Sequence, residues 1–337
     1  MQVTSSGSVR VDLVGGTLDL EPINLILPNV VTLNVATSLK AEVCIEEVSS
    51  NTIIINSKDY NKDYVFSFDE ITDENLYYKN YFKEMSFVLQ ILDLFNIRKG
   101  VKLSLKSGAP AGSGLGGSSA MGMTLYKALS KLKKQELSVL DAVLKVKSIE
   151  GRILNQGVPG YQDYFPAMLG GVLCLRGKPG KIEFEQIYTK ELKAFLEDHI
   201  TLVYSGISRN SGINNWDVYK KFFDGVQETR DGLSRIAEIS FQTYEAIKDK
   251  KFEKILDLIG EEGNIRKALA ANIVPNEVQF LFQKLKNDKL VKGLKMCGAG
   301  GGGCFILTHV KEHKDSLMKV LEDAKYQVLD FRIEDPI

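Results

Sequence analysis

Apolar residues recur with two different periods along this chain, and the change of period predicts where strands give way to helices. Residues 8–14, 30–48, 51–56 and 64–68 alternate or carry β-branched apolar side chains, so a β-rich beginning is predicted. Residues 75–95 change to steps of three and four, which predicts the first long helix with an apolar stripe in the core. The stripe consists of Tyr78, Phe82, Met85, Leu89 and Leu92.

Short strands and helices alternate in the middle of the chain. A strand at Val101–Lys106 is expected before a glycine-rich loop. Helices are predicted at 118–132 and at 138–154, and the second ends toward residues 155–157. Residues 160–163 are expected to open another short helix before a strand at 172–176.

Long helices dominate the second half. They are predicted at 212–222, 226–248, 252–271 and Asn276–Asn287, and one more precedes the last strand. Strands are predicted at Ile200–Tyr204, 294–297, Cys304–Thr308 and 326–333. This mix predicts an α+β protein of two lobes, with a boundary in the region of 185–200 and domains at 1–190 and 191–337.

The glycine-rich loop from Ser107 to Ala120 is the densest motif in the chain. Its glycines stand at 108, 112, 114, 116 and 117. They allow consecutive backbone N–H groups to face one concavity, and the following helix adds the positive end of its dipole. Such a loop favours a bound phosphate.

Two common phosphate loops fit this stretch poorly. A P-loop requires Gly-Lys-[Ser/Thr] at the helix start, but Gly117-Ser118-Ser119 stands there and the loop contains no lysine. The dinucleotide fingerprint can be placed on Gly112, Gly114 and Gly117. It would require a first parallel strand and an acidic residue about 20 residues later, where a lysine-rich helix end follows instead.

Composition limits the class of protein. The 337 residues are 44% hydrophobic and contain 43 basic and 43 acidic side chains, so no basic field favours nucleic acid. The spacing of the four cysteines fits neither a disulfide framework nor a zinc site, which indicates buried thiols in a reducing compartment. The absence of a long apolar run and of a signal-like start predicts a cytoplasmic protein without a membrane partner. A homodimer is compatible with the sequence.

Read as Pro110-x-x-x-Gly114-Leu115-Gly116-x-Ser118-Ser119-Ala120, the loop resembles the ATP-binding motif of the GHMP kinases, although Gly117 replaces their usual serine. The resemblance implies a two-lobed fold, with a β-rich N-terminal lobe and a ferredoxin-like C-terminal lobe. It also implies a set of residues that bind ATP. These are Pro110, Gly112, Ser113, Gly114, Leu115, Gly116, Gly117, Ser118 and Ser119.

Two further motifs resemble the same family. Lys295-Met-Cys-Gly-Ala-Gly-Gly-Gly-Gly303 is similar to its third motif, a turn that lies against the ATP loop and the substrate, so Gly300 and Gly301 are expected at the substrate. Arg10-Val-Asp-Leu-Val-Gly-Gly-Thr-Leu-Asp19 resembles the galactokinase opening, with Gly16-Thr17 in place of Glu-His. This match places Asp19 and Gly16 beside the acceptor.

The catalytic base is expected to be an aspartate. His199, His309 and His313 lie outside every glycine motif, which disfavours histidine. The segment Gly160-Tyr161-Gln162-Asp163 resembles the one that carries the family's catalytic aspartate, so Asp163 is the expected base. Arg10 would then stabilise the carboxylate and the developing alkoxide. Gly160 and Tyr161 are expected to contact the substrate.

The family pattern also implies Mg²⁺ with the ATP. Its protein ligands would be Ser118 and an acid on the helix before the catalytic aspartate. Glu150 is the acid at a suitable distance, thirteen residues before Asp163, whereas the family usually has eleven or twelve. One extra residue must therefore be accommodated in the intervening turn.

Details within the family favour a sugar or sugar-phosphate acceptor. The stretch from Gly160 to Gly171 is similar to one in heptose-phosphate kinases and fucokinases, and Tyr204-Ser-Gly-Ile-Ser-Arg209-Asn-Ser211 resembles their segment with Arg and Ser. Arg209 is therefore expected at the substrate. A mevalonate-type acceptor and a non-catalytic sugar-binding regulator remain the alternatives, and the intact Asp163, Arg10 and Ser118 disfavour the regulator.

Overall fold

A computed structural model describes residues 1–154, 159–207 and 213–337 and shows two β-sheets with helices around them. The first sheet has seven strands. They are β1 Gln2–Val14, β2 Thr32–Glu47, β3 Thr52–Ser57, β4 Lys62–Ser67, β5 Val101–Lys106, β6 Val172–Lys178 and β7 Lys181–Gln186. Their order is β4-β3-β5-β2-β6-β7, and β1 pairs along β2. The β3–β5 pair is parallel and the other pairs are antiparallel.

Helices cover this sheet and join its strands. In the described part of the chain before residue 190 they are α1 Ile23–Ile26, α2 Ser86–Leu94, α3 Gly117–Lys133, α4 Val139–Leu154 and α5 Pro166–Leu169. The first turn of α3 follows directly from the glycine-rich loop. The helix ends where Lys134 takes a left-handed conformation and donates its N–H to Lys131 O.

The second sheet has four antiparallel strands, β8 Ile200–Tyr204, β9 Gly293–Met296, β10 Cys304–Thr308 and β11 Gln327–Leu329, in the order β11-β8-β10-β9. The helices described with it are α6 Lys190–His199, α7 Ile213–Phe223, α8 Gln227–Lys248, α9 Phe252–Leu269, α10 Asn276–Asn287 and α11 Lys314–Asp323. One strand, helices, two strands, a helix and a last strand give the ferredoxin-like connectivity. The predicted α+β fold of two lobes is therefore confirmed.

Two segments cross between the lobes. Leu18, Leu20 and Ile23 follow β1 but belong to the apolar core of the second sheet. The C-terminal tail returns to the first sheet, where Ile333 bridges to Thr37 and the N–H of Ile337 bonds to Leu169 O at 3.0 Å. The lobes therefore share buried surface at the place where β1 ends.

The predicted long helix at 75–95 is wrong in its first half. Residues Glu74–Tyr78 form a single π turn, a 3₁₀ turn follows at Lys83–Met85, and the α-helix begins only at Ser86. The left-handed conformation of Lys83, with φ of 47°, interrupts the helical path. Tyr78 is 81% exposed and does not belong to the core.

Strand β7, helix α6 and the four-residue helix α1 were not predicted, although Ile182 and Phe184 alternate with polar residues in β7. Among the described residues, no helix is both long and apolar enough to cross a bilayer.

Candidate active site

A cavity of about 630 Å³ lies where the end of β1, the glycine-rich loop and α7 meet. Eight of the nine predicted ATP-binding residues line it, and they extend from Pro110 to Ser119. The exception is Leu115, whose side chain is fully buried. Apolar side chains from β5, α3 and the end of α4 continue the wall away from the loop, including Leu105, Met121 and Ile153.

Arg10 joins the glycine-rich loop to Asp163. Its guanidinium donates to Asp163 Oδ1 from Nε at 2.8 Å and from Nη2 at 2.7 Å, and Nη1 donates to Gly114 O. Its backbone N–H donates to Leu115 O at 3.0 Å. Burial opposes the charge of Arg10, but the attraction of Asp163 and Asp12 outweighs it and raises the arginine pKa.

The loop approaches Asp163 closely at Gly116. This residue has φ of 71°, and a Cβ added to it would lie 3.1 Å from both Cβ and Cγ of Asp163. A glycine is therefore required here by conformation and by space. Asp163 remains 29% exposed, so its carboxylate faces the cavity while Arg10 holds it from behind.

Glu150 on α4 is buried beside the start of α3. Its Oε2 accepts hydrogen bonds from Ser119 Oγ and from Tyr164 OH, both at 2.7 Å. Burial raises the pKa of Glu150, while the hydrogen bonds from Ser119, Tyr164 and Ser118 oppose that rise. Glu150, Ser118 and Asp163 line the same cavity.

Asp19 is a buried carboxylate that lines the cavity beside the segment from Gly160 to Asp163. It accepts from the backbone N–H of Gln162 at 3.0 Å and from Gln162 Nε2 at 3.3 Å. Burial raises the pKa of Asp19 to about 6, although the Gln162 N–H opposes the shift. A Cβ at Gly160 would lie 1.9 Å from Asp19 Oδ2, so the glycine allows the two segments to meet.

A buried network of charged side chains, which the sequence motifs do not predict, lies near the end of β1. Lys295 Nζ lies 2.8 Å from Asp12 Oδ2 and 3.9 Å from Glu262 Oε2. Glu262 also pairs with Arg266 of the same helix, α9. Arg266 in turn donates to Thr17 Oγ1 at 2.9 Å and to the backbone oxygen of the residue before Thr17 at 2.6 Å.

This network ties the second lobe to the end of β1. Burial would raise the pKa of Asp12, but Lys295, Arg266 and Arg10 together hold it below its ordinary value. A charged side chain in the middle of an apolar strand, as at Asp12 and Lys295, is the signal that could have revealed it.

The glycine motif from Lys295 to Gly303 lies directly on the glycine-rich loop. The N–H of Cys304 donates to Ser113 O at 2.6 Å, and a Cβ at Gly303 would lie 2.5 Å from the same oxygen. Gly298 and Ala299 line the cavity. Gly300 and Gly301 instead pack against Ile273, whose backbone oxygen accepts from the N–H of Gly301 at 2.7 Å.

Of the other residues predicted to contact the substrate, only some line the cavity. Gly16 lies behind the cavity wall, and a Cβ there would be 2.1 Å from Asp12 Oδ2. Tyr161 is fully buried, and neither residue is among the described residues that line the cavity. Gly160 lines it, whereas Arg209 and Ser211 lie outside the described residues.

Comparisons with known proteins find similarity to kinases of one family. The family model described as "GHMP kinases N terminal domain" matches residues 80–171. The L-fucokinase/L-fucose-1-P guanylyltransferase of Bacteroides fragilis is 26% identical over 330 residues, which are 88% of this chain and 33% of that protein. This chain therefore spans about a third of the length of that relative. The D-glycero-alpha-D-manno-heptose 7-phosphate kinase of Campylobacter jejuni is 25% identical over 227 residues, with 67% and 66% covered.

Solved structures show the same fold. The crystal structure of the Methanococcus jannaschii mevalonate kinase superposes with a TM-score of 0.76 at 22% identity, and the match covers 99% of this chain and 98% of that one. The family match over residues 80–171, the three motifs and this fold all support the GHMP kinase family for this chain.

Proposed function

We propose that this protein transfers the γ-phosphate of ATP to a hydroxyl group of a sugar or sugar phosphate, with a heptose phosphate as the first acceptor to test. One observation carries the proposal: Arg10 holds Asp163 in a cavity that also contains the phosphate-type loop and the buried carboxylate Asp19. Relatives that are named fucokinase and heptose 7-phosphate kinase support the sugar class.

The loop and the start of α3 would hold the triphosphate. Gly116 is the N-cap of α3, so the first N–H groups of this helix face the cavity without helical partners. The apolar wall around Leu105, Met121 and Ile153 continues from the loop and suits a nucleobase. ATP as phosphate donor is expected of the family.

Asp163 would act as the general base. Its carboxylate lines the cavity beside Gly116 of the loop, and two hydrogen bonds from Arg10 fix its position. The proton of the acceptor hydroxyl would pass to the Asp163 carboxylate as the oxygen attacks phosphorus. The positive charge of Arg10 then stabilises the negative charge that develops between them.

The residues around Glu150 suit Mg²⁺. The described part of the chain contains no group of three acidic, histidine or cysteine side chains that could hold a metal alone. One carboxylate with neighbouring hydroxyls fits an ion that keeps waters and is held mainly by phosphates. Glu150 and Ser118 would hold it, and the bound ion would neutralise phosphate charge.

We expect Glu150→Gln to raise the Mg²⁺ concentration needed for half-maximal rate by about tenfold or more, because the ion loses its anionic protein ligand. The amide oxygen can still accept from Ser119 and Tyr164, so the fold should be retained. Rates measured against Mg²⁺ at fixed ATP test this. Tyr164→Phe is the matched control, since it removes a hydrogen bond from Glu150 but keeps the carboxylate. An equal shift in both variants would contradict a metal role for Glu150.

Asp19 would hold hydroxyl groups of the acceptor, and this gives a pH prediction. With a pKa of about 6 in the fold, Asp19 loses its charge as the pH falls through 6. The Michaelis constant for the sugar should therefore rise by about tenfold between pH 7.5 and 5, since a hydrogen bond to a charged group is the stronger one. In Asp19→Asn the constant should be high and nearly independent of pH in this range.

The charge of Asp19 should strengthen sugar binding but lower the stability of the fold. Because burial raises the pKa of Asp19, the folded state binds more protons than the unfolded state between about pH 4 and 6. This carboxylate therefore lowers the stability of the fold as the pH rises through that window. Asp19→Asn should raise the melting temperature at pH 8 while it weakens sugar binding. A variant with a lower melting temperature and weaker sugar binding would indicate misfolding instead.

A ligand screen tests the proposed acceptor class. Melting temperatures would be measured with a nonhydrolysable ATP analogue and a panel of sugars, sugar phosphates and mevalonate. A ligand at 100 times its dissociation constant stabilises by about 2.7 kcal/mol, which is readily detected. Stabilisation by sugars or sugar phosphates supports the proposal, and stabilisation by mevalonate alone favours the mevalonate-type alternative. Sugar binding without any effect of the ATP analogue would favour a regulator.

A further inference from the structure

Trp216 is the only tryptophan in the chain, and it is 46% exposed on α7 although it lines the cavity. A large aromatic side chain that stays exposed inside a concave site marks a contact surface for a ligand, because burial would otherwise be favourable. Trp216 lies outside all three sequence motifs. The roles proposed for the glycine-rich loop and for Asp163 do not require it.

Hydrogen bonds place the start of α7 close to Thr17, which precedes Asp19 by two residues. Asn215, the residue before Trp216, accepts from Thr17 Oγ1 at 3.4 Å. The same hydroxyl receives a hydrogen bond from the buried Arg266 at 2.9 Å, so it is fixed. Thr17 stands two residues before Asp19. Trp216 therefore lies on the wall near the carboxylate proposed to hold acceptor hydroxyls.

Neighbouring aromatic rings hold the indole in one orientation. Tyr219, one turn further along α7, stacks on Trp216 with ring centroids 5.7 Å apart and planes 15° apart. Tyr219 also lines the cavity, and its other neighbour Phe223 is 4.8 Å away. The buried Phe222 anchors this helix in the core of the second lobe. A ring braced in this way loses little entropy when a ligand binds.

The chemistry of a flat ring beside a carboxylate fits a sugar. A sugar ring carries hydroxyls around its rim and apolar C–H groups on its faces, so one wall must be polar and the other apolar and flat. We propose that Trp216 is a specificity-determining residue which stacks on the C–H face of the acceptor ring while Asp19 holds its hydroxyls. This inference rests on the proposed sugar kinase activity. An open-chain acceptor such as mevalonate offers no ring face to this surface.

The kinetics of matched variants test whether Trp216 stacks on the acceptor ring, and this stacking surface is called the platform below. In Trp216→Ala the Michaelis constant for the sugar should rise about 10- to 100-fold, because the apolar area covered by the ring is lost. The constant for ATP and the turnover number should change less than about threefold, and Trp216→Phe should retain part of the sugar affinity. Phe280→Ala is the control, since Phe280 is 77% exposed on α10 and is not among the cavity residues.

Tryptophan fluorescence gives a second readout on the wild-type protein, because its emission comes from this one ring. The probes are D-galactose, L-fucose, a heptose 7-phosphate and mevalonate, each with a nonhydrolysable ATP analogue. A saturable change in emission is expected with the sugar that is phosphorylated and not with mevalonate.

The outcomes separate this inference from the proposed function. A wild type that phosphorylates a sugar, with unchanged emission or with Trp216→Ala within twofold in sugar affinity, would overturn the platform and leave the kinase proposal standing. A wild type that binds ATP but phosphorylates no sugar, or only mevalonate, would overturn both.

Discussion

Asp163→Asn is expected to reduce the rate of phosphoryl transfer by about 10²- to 10⁴-fold, the usual contribution of a positioned general base. The amide has no basic oxygen with which to take the acceptor proton, yet its carbonyl oxygen can still accept from Arg10 Nε and Nη2. Nucleotide affinity should change little, since the proposed role of the carboxylate is to take the acceptor proton and not to bind phosphate.

Turnover at saturating ATP and sugar, together with calorimetric binding of an ATP analogue, checks this expectation. Retention of more than a tenth of the wild-type rate would remove Asp163 as the base. A large loss of nucleotide affinity would instead show that the variant had disturbed the loop at Gly116, which lies against Asp163.

Lys295→Met should produce the largest loss of stability. Lys295 is fully buried, and its ammonium pairs with the buried Asp12 at 2.8 Å. Removal of one partner from a buried ion pair costs about 3–5 kcal/mol. Here the loss should lie toward the lower end, because Arg10 and Arg266 still attract the Asp12 carboxylate. The free energy of unfolding in urea measures the effect.

Lys292→Met provides a control three residues away. Lys292 is 32% exposed and lies 3.7 Å from acidic oxygens of Glu253 and Asp257. Such surface pairs contribute at most about 1 kcal/mol. The double variant Asp12→Asn/Lys295→Met should recover part of the loss, because no charge is then left without its partner. A Lys295→Met variant as stable as Lys292→Met would contradict a structural role for the pair.

Much of the fold could be predicted because its local signals are strong. The alternating apolar residues of β5, the continuous apolar run of β10 and the amphipathic pattern of α10 predict the observed bounds. The region 75–95 could not be predicted in this way, since the break lies at Lys83, whose backbone conformation the periodic side chains do not reveal. The apolar stripe therefore extends to both sides of Lys83, although the α-helix begins only at Ser86.

The site shows the same division between local and distant information. The glycine loop and Asp163 were predicted from short motifs, and the structure brings them together at Gly116. The network of Asp12, Lys295 and Arg266 joins residues that are 249 to 283 positions apart, so a single sequence offers no way to pair them. Trp216 lies within the predicted helix 212–222. Its exposure in the cavity cannot be predicted from the sequence, because it depends on the contact of α7 with the residues after β1.

Transfer of a labelled phosphate tests the central claim most directly. The protein would be incubated with Mg²⁺, ATP labelled at the γ-phosphate, and each sugar or sugar phosphate of the panel, and the products would be separated by chromatography. We predict that the label moves from ATP to one sugar with release of ADP, and that Asp163→Asn blocks this transfer. Label that stays in ATP or appears only as inorganic phosphate with every sugar, while the protein binds ATP, would contradict the account.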